Sequence, residues 1–231
     1  MPIFGMFDPT VILLIPAILL TLYAQGKVTR AYRAFSGVAN RRGITGAQAA
    51  RRILDANGLS NVRIEMTGGT LTDHYDPRTK TVSLSEDIYG RNSLAAVGVA
   101  AHECGHAIQD AINYAPLNIR SAIVPAANIG SQLSWPLFIA GLIFSIDPLV
   151  TLGIVLFSLA VLFQLVTLPV EINASSRALK MLESTGILGA DEKKGARKVL
   201  TAAALTYVAA LAASILQLLR LIILAGGRDR D

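Results

Sequence analysis

Residues 148–170 read PLVTLGIVLFSLAVLFQLVTLPV, a run without a single charge. A helix rises ~1.5 Å per residue and the hydrocarbon core of a bilayer is ~30 Å thick, so a spanning helix needs roughly 20 apolar residues. This run predicts a transmembrane helix over about 148–169 and decides the fold class. Composition agrees. Of 231 residues, 52% are apolar and 16% are charged, well under the ~25% charge usual in soluble domains. Mean hydropathy is +0.50. One core could not hide that much apolar sequence, and disorder and collagen-like repeats are excluded by the same arithmetic. The single cysteine, Cys104, excludes an intramolecular disulfide framework.

Three further runs flank this one. Residues 9–26 and 199–225 are each long enough to span. The first has no basic residue ahead of it and no clear small-residue cleavage pattern behind it, so it reads as an uncleaved anchor rather than a secretory signal. Residues 121–146 are uncharged but most apolar only over 132–146. Pro125 and Pro136 are expected to bend or interrupt this run, and 121–131 is expected to lie on or partly in the membrane. The expectation is a mainly α, polytopic membrane protein with about four transmembrane helices.

Basic residues set the orientation. Lys27, Arg30, Arg33, Arg41 and Arg42 follow the first run, and Arg177, Lys180, Lys193, Lys194, Arg197 and Lys198 follow the third. The polar segments 27–131 and 170–198 are therefore expected in the cytoplasm and the N-terminus outside. Arg228 and Arg230 dissent mildly, offset by Asp229 and Asp231. Topology accounts for the net charge of +5, so no nucleic-acid partner is inferred.

Within the first polar segment, residues 45–57 read as an amphipathic helix, with Thr45 and Gln48 at capping-box spacing and Gly58 as its stop. Arg51 and Arg52 read as a solvated face, or one against anionic headgroups. Three short β-like runs follow, at 61–66, 70–75 and 81–85, with a proline turn at 76–79.

The chemistry sits in the next helix, expected over 92–111: NSLAAVGVAAHECGHAIQDA. His102 and His106 are i and i+4, so both imidazoles leave one face about one turn apart. Two neutral imidazoles so placed can bind one zinc ion. Glu103, beside the first ligand, reaches the metal's neighbourhood without ligating it and can take a proton from a water the metal acidifies. Histidines that merely pack or pair with acids are the bland alternative, less apt for a pair that brackets a glutamate in an apolar helix.

A catalytic zinc usually has three protein ligands. Cys104 points to another helix face, and Asp147 falls on the far side of the membrane. Asp110 could support a ligand from behind, and His74 is a candidate ligand unless it is a turn histidine bonded to Asp73 or Asp76. Glu171 is the strongest candidate: it stands where the third span re-enters the cytoplasm, where Pro169 would start a new helix. An acid at the edge of an apolar span is costly unless paired or metal-bound. The alternative for Glu171 is a snorkelling or capping carboxylate.

With these residues in view, the sequence resembles the YugP-type bacterial membrane zinc metallopeptidases. The resemblance runs through the anchor, LTDHYDPRTKTVSLS (71–85), AAHECGHAIQDA (100–111), the span pair and LPVEINASSRALKML (168–182). It is similar also to the gluzincin group of HtpX-like and prenyl-protease-like enzymes, whose third ligand is a Glu in a Glu-x-x-Ala-Asp pattern. Here Glu171-Ile172-Asn173-Ala174-Ser175 fits except that Ser175 replaces the Asp. The resemblance implies a single membrane-embedded metallopeptidase domain over 1–231 with a small α+β zincin-like cytoplasmic segment. It implies Zn2+ on His102, His106 and Glu171, with Glu103 as general base. The missing Asp puts the usual carboxylate behind a zinc-bound imidazole in question; Asp110, Asn173 or Ser175 could stand in. His74, Tyr75 and Arg177 are candidate oxyanion donors, and strand 81–85 could hold a peptide by strand addition.

The expected partners are a peptide or membrane-protein substrate and the lipid bilayer, in the bacterial inner membrane with the site facing the cytoplasm. Spans rich in small residues, such as 202–214, suit packing within one chain or in a homo-oligomer. A rival class is a catalytically inactive scaffold or assembly protein with a vestigial metal site. An intramembrane protease is disfavoured because the uncharged run before His102 is too short to span. A transporter is disfavoured because no span carries paired internal acids or histidines.

Overall fold

Local chemistry sets the limits of the shorter elements in the computed structural model, which describes residues 9–227. A 3-10 turn, Pro9–Leu14, leads into α1 (Ile15–Ser36). Helix α2 (Gly46–Ala56) starts with the expected capping box: the Thr45 hydroxyl accepts from the Gln48 amide and the Gln48 side chain accepts from the Thr45 amide. Gly58 follows its end at φ +73, the left-handed conformation that glycine takes without penalty. Strands β1 (Arg63–Thr67), β2 (His74–Asp76) and β3 (Thr81–Ser85) come next, then the single turn α3 (Glu86–Tyr89) and α4 (Leu94–Ala111), whose N-cap Ser93 accepts from the Ala96 amide at 3.1 Å. Helices α5 (Ala115–Ile143), α6 (Asp147–Ser184) and α7 (Ala190–Gly226) complete the chain.

The second β-run is shorter than expected, because Gly69 at φ +93 and Leu71 at φ 58 keep the chain before His74 out of extended geometry. In the sheet, β3 lies in the middle, parallel to β1 and antiparallel to β2. Both its edges are therefore paired. That corrects the expectation that 81–85 could receive a peptide strand; the free edges belong to β1 and β2.

The prolines do not interrupt the long helices. Pro125 and Pro136 lie inside an unbroken α5, and Pro169 lies inside α6 rather than opening a new helix. Each proline removes one helical N–H donor. Ending a helix there would strand several more backbone groups, and in apolar surroundings continuation is the cheaper solution. Among the described residues, three helical stretches are long and apolar enough to cross a bilayer: Pro9–Ser36, Asp147–Ser184 and Ala190–Gly226.

The chain divides into two compact units. One comprises residues 25–118 and 169–205. Its core gathers Ile53 and Leu54 from α2, Val82 and Leu84 from β3, Val97, Ala101 and Cys104 from α4, Ala178 and Leu182 from α6 and Leu200 from α7. The other comprises, among the described residues, 9–24, 119–168 and 206–227. Its buried cluster is Phe138, Val150 and Leu221, while Ile12, Leu22, Phe144, Val155 and Leu165 are more than half exposed. Helices approach closely there at glycine: a Cβ on Gly153 would stand 2.8 Å from the Ser134 carbonyl oxygen.

Candidate metal centre

Helix α4 delivers His102 and His106, one turn apart, with rings in an edge-to-face arrangement 4.7 Å between centroids. Helix α6 brings Glu171 to them. A glycine permits the approach: a Cβ on Gly105 would lie 2.6 Å from the Ala174 carbonyl oxygen, closer than real Cβ atoms come. The glycine inside His102-Glu103-Cys104-Gly105-His106 thus lets α4 and α6 meet backbone to backbone, one turn of α6 from Glu171.

The two Nε2 atoms stand 3.2 Å apart. Glu171 Oε2 is 3.2 Å from His102 Nε2 and 3.6 Å from His106 Nε2. A tetrahedral ion with bonds of ~2.0–2.1 Å has ligand-to-ligand edges of about 3.3 Å, so the triangle is the size such an ion requires. Among the described residues, His102, His106 and Glu171 are the group that could hold a metal ion. His74 is not part of it. It is exposed, and its Nδ1 lies 2.8 Å from the Thr72 carbonyl oxygen rather than against Asp73 or Asp76.

The electrostatics favour a cation. Burial would depress the His106 pKa, but the Glu171 hydrogen bond and the charges of Glu103 and Glu171 outweigh it and hold the imidazole above its ordinary value. Glu103 is 7% exposed, and no hydrogen bond or ion pair to another described residue holds its carboxylate. Burial pushes the Cys104 thiol up, so it stays protonated, and its Sγ lies 3.6 Å from the Ala50 carbonyl oxygen in the core.

Of the candidates for supporting a ligand from behind, Ser175 stands there and Asp110 does not. Asp110 supports neither histidine: it accepts from the Tyr75 hydroxyl at 2.6 Å and pairs with Lys80 at 2.5 Å. Burial and then the Asp110 hydrogen bond push the Tyr75 phenol up, which keeps it a donor. Arg177 donates from Nε to Asn173 Oδ1 at 2.7 Å. Ser175 Oγ lies 3.1 Å from His102 Nδ1, where the resembling pattern carries an acid. Sequence reading missed Gln109, fully buried, with Oε1 3.0 Å from His106 Nδ1. Its signal was the i+3 spacing from His106, which puts both side chains on one face.

The sequence that brings two histidines and a glutamate together beside a buried acid matches known proteins. The chain belongs to the family described as "Putative neutral zinc metallopeptidase", whose model matches residues 10–226. It is 48% identical over 222 residues to "Putative membrane protease YugP" of Bacillus subtilis (strain 168), an alignment covering 96% of this chain and 99% of that protein. No solved structure matches the chain.

Proposed function

We propose that the protein is a membrane-bound, zinc-dependent endopeptidase of gluzincin type, with His102, His106 and Glu171 as ligands and Glu103 as general base. The observation that carries this reading is the 3.2, 3.2 and 3.6 Å triangle of ligand atoms beside a buried Glu103, in a chain of a zinc metallopeptidase family. Two imidazoles and a carboxylate are a donor set that suits zinc. When bound, the metal supplies Lewis-acid polarisation of water and of the scissile carbonyl. Glu103 takes the proton of the attacking water and returns it to the departing amine, so the peptide bond breaks without a free base or acid from solvent. Glu171, the anionic member of the set, would offset part of the ion's positive charge. Tyr75, His74 and Arg177 remain the candidates for stabilising the oxyanion.

The apolar helices support an integral membrane protein. The full reading has four spans, counting the apolar part of α5. It sits in the bacterial inner membrane, with segments 27–131 and 170–198 cytoplasmic as the basic residues dictate. A peptide segment or membrane protein within reach of that face is the substrate class.

Glu103→Gln tests the role most sharply. The variant is expected to keep its zinc and its melting temperature while zinc-dependent peptide hydrolysis falls by about 10²–10⁴-fold, the usual contribution of a positioned proton-transfer group. Undiminished hydrolysis would remove Glu103 from the mechanism. No chelator-sensitive hydrolysis in the parent chain would favour a scaffold with a vestigial metal site.

A further inference from the structure

Gln109 sits where α4 meets α6, with no exposed surface. Its Nε2 lies 2.8 Å from the Val170 carbonyl oxygen and 3.0 Å from Asn173 Oδ1. A main-chain carbonyl can only accept, so the nitrogen of the Gln109 amide must be the atom that faces it. Asn173 agrees from the other side: Arg177 only donates, and its Nε points at the same Oδ1. The Gln109 oxygen is therefore left facing His106 Nδ1 at 3.0 Å. An amide oxygen only accepts, so Nδ1 must carry a proton, and in the neutral imidazole that a metal needs it is Nε2, the atom turned toward His102 and Glu171, that keeps its lone pair.

We infer that Gln109 is a positioning residue for the metal centre, locking His106 into the tautomer and ring orientation that presents Nε2 to the ion. The inference rests on the zinc reading above. Arg177, Asn173, Gln109 and His106 form one chain in which each group's role is forced by the one before. It spans both helices that supply ligands, because Val170 adjoins Glu171 and Asn173 is two residues beyond. His102 has no such device. Its Nδ1 faces the Ser175 hydroxyl, which can donate or accept and so enforces neither tautomer. The centre thus has one imidazole fixed by a rigid amide and one left adaptable. Both are backed by neutral groups, which raise ligand basicity less than a carboxylate would.

Two substitutions separate positioning from mere bracing. Gln109→Glu keeps an acceptor for His106 but has no N–H for Val170 or Asn173. Gln109→Met fills similar space and loses both functions. The full chain in detergent is titrated with zinc against a competing chelator, and with cobalt for its visible spectrum. Gln109→Met is expected to bind zinc about 10–100-fold more weakly, with an altered cobalt spectrum, while Gln109→Glu stays within about threefold of the parent although both variants melt lower. Equal weakening in both, or none in either, overturns the inference. Should Gln109→Met fail to fold, Gln109→Glu decides: affinity within about threefold supports positioning, and a loss of about tenfold or more refutes it. A parent chain that binds no zinc overturns the metal site itself, a different result from a parent and variant that bind alike.

Discussion

The unit that carries the candidate metal centre and the unit made of apolar helix segments solve opposite burial problems. The first hides its apolar residues: Leu54, Val82, Leu84 and Leu182 have no exposed surface. The second turns them outward, with Leu19 at 61% and Phe144 at 69% exposure, and buries Phe138, Val150 and Leu221. In water the second arrangement would be unstable, because apolar burial is the main favourable term in folding. In lipid that term vanishes, and close contact through small residues replaces it. Gly130 and Gly153 serve this in the apolar unit, where a Cβ would strike the Leu156 or Ser134 carbonyl oxygen. Gly105 does the same at the centre. Close packing is common to both units; where the apolar side chains point is not.

Substitutions can sharpen or break this contrast. Leu182→Ala, in the buried core, is expected to destabilise by about 2–5 kcal/mol, read from unfolding in mild detergent. Gly105→Ala is expected next. Overpacking of about 1–3 kcal/mol opposes a helix-propensity gain of about 0.5–1 kcal/mol, leaving a smaller net loss, and zinc affinity should fall with it because Ala174 is one turn from Glu171. A Gly105→Ala chain of undiminished stability and metal affinity would show that the helices need not approach so closely. Leu165→Ala, on an outward apolar face, is expected to change stability by less than about 0.5 kcal/mol. A loss as large as that of Leu182→Ala would mean Leu165 is covered by protein and would collapse the contrast.

What the sequence revealed follows the same division. In the polar segments short-range rules applied, so the Thr45 capping box, the strand at Thr81–Ser85 and the helix carrying His102 and His106 were legible from spacing alone. Sheet order was not, because β1 and β3 pair in parallel across intervening chain and no local pattern encodes that. Pro125 and Pro136 do not interrupt α5 and Pro169 does not start a new helix, because rules learned from water-exposed helices overstate how readily a proline ends an apolar one. Around the centre, the i, i+4 histidines put two side chains on one face, but the residues behind them depend on long-range packing. Asp110 turned to Tyr75 and Lys80, and Gln109 took up the place behind His106.

The most direct test is the zinc content of detergent-purified protein, measured by elemental analysis for the parent chain, His102→Ala and Glu171→Ala. The account predicts about one zinc per parent chain and loss of it in both variants while the fold persists. Undiminished zinc in Glu171→Ala, or a parent chain that cannot be loaded with zinc, would contradict the three-residue centre on which the reading stands.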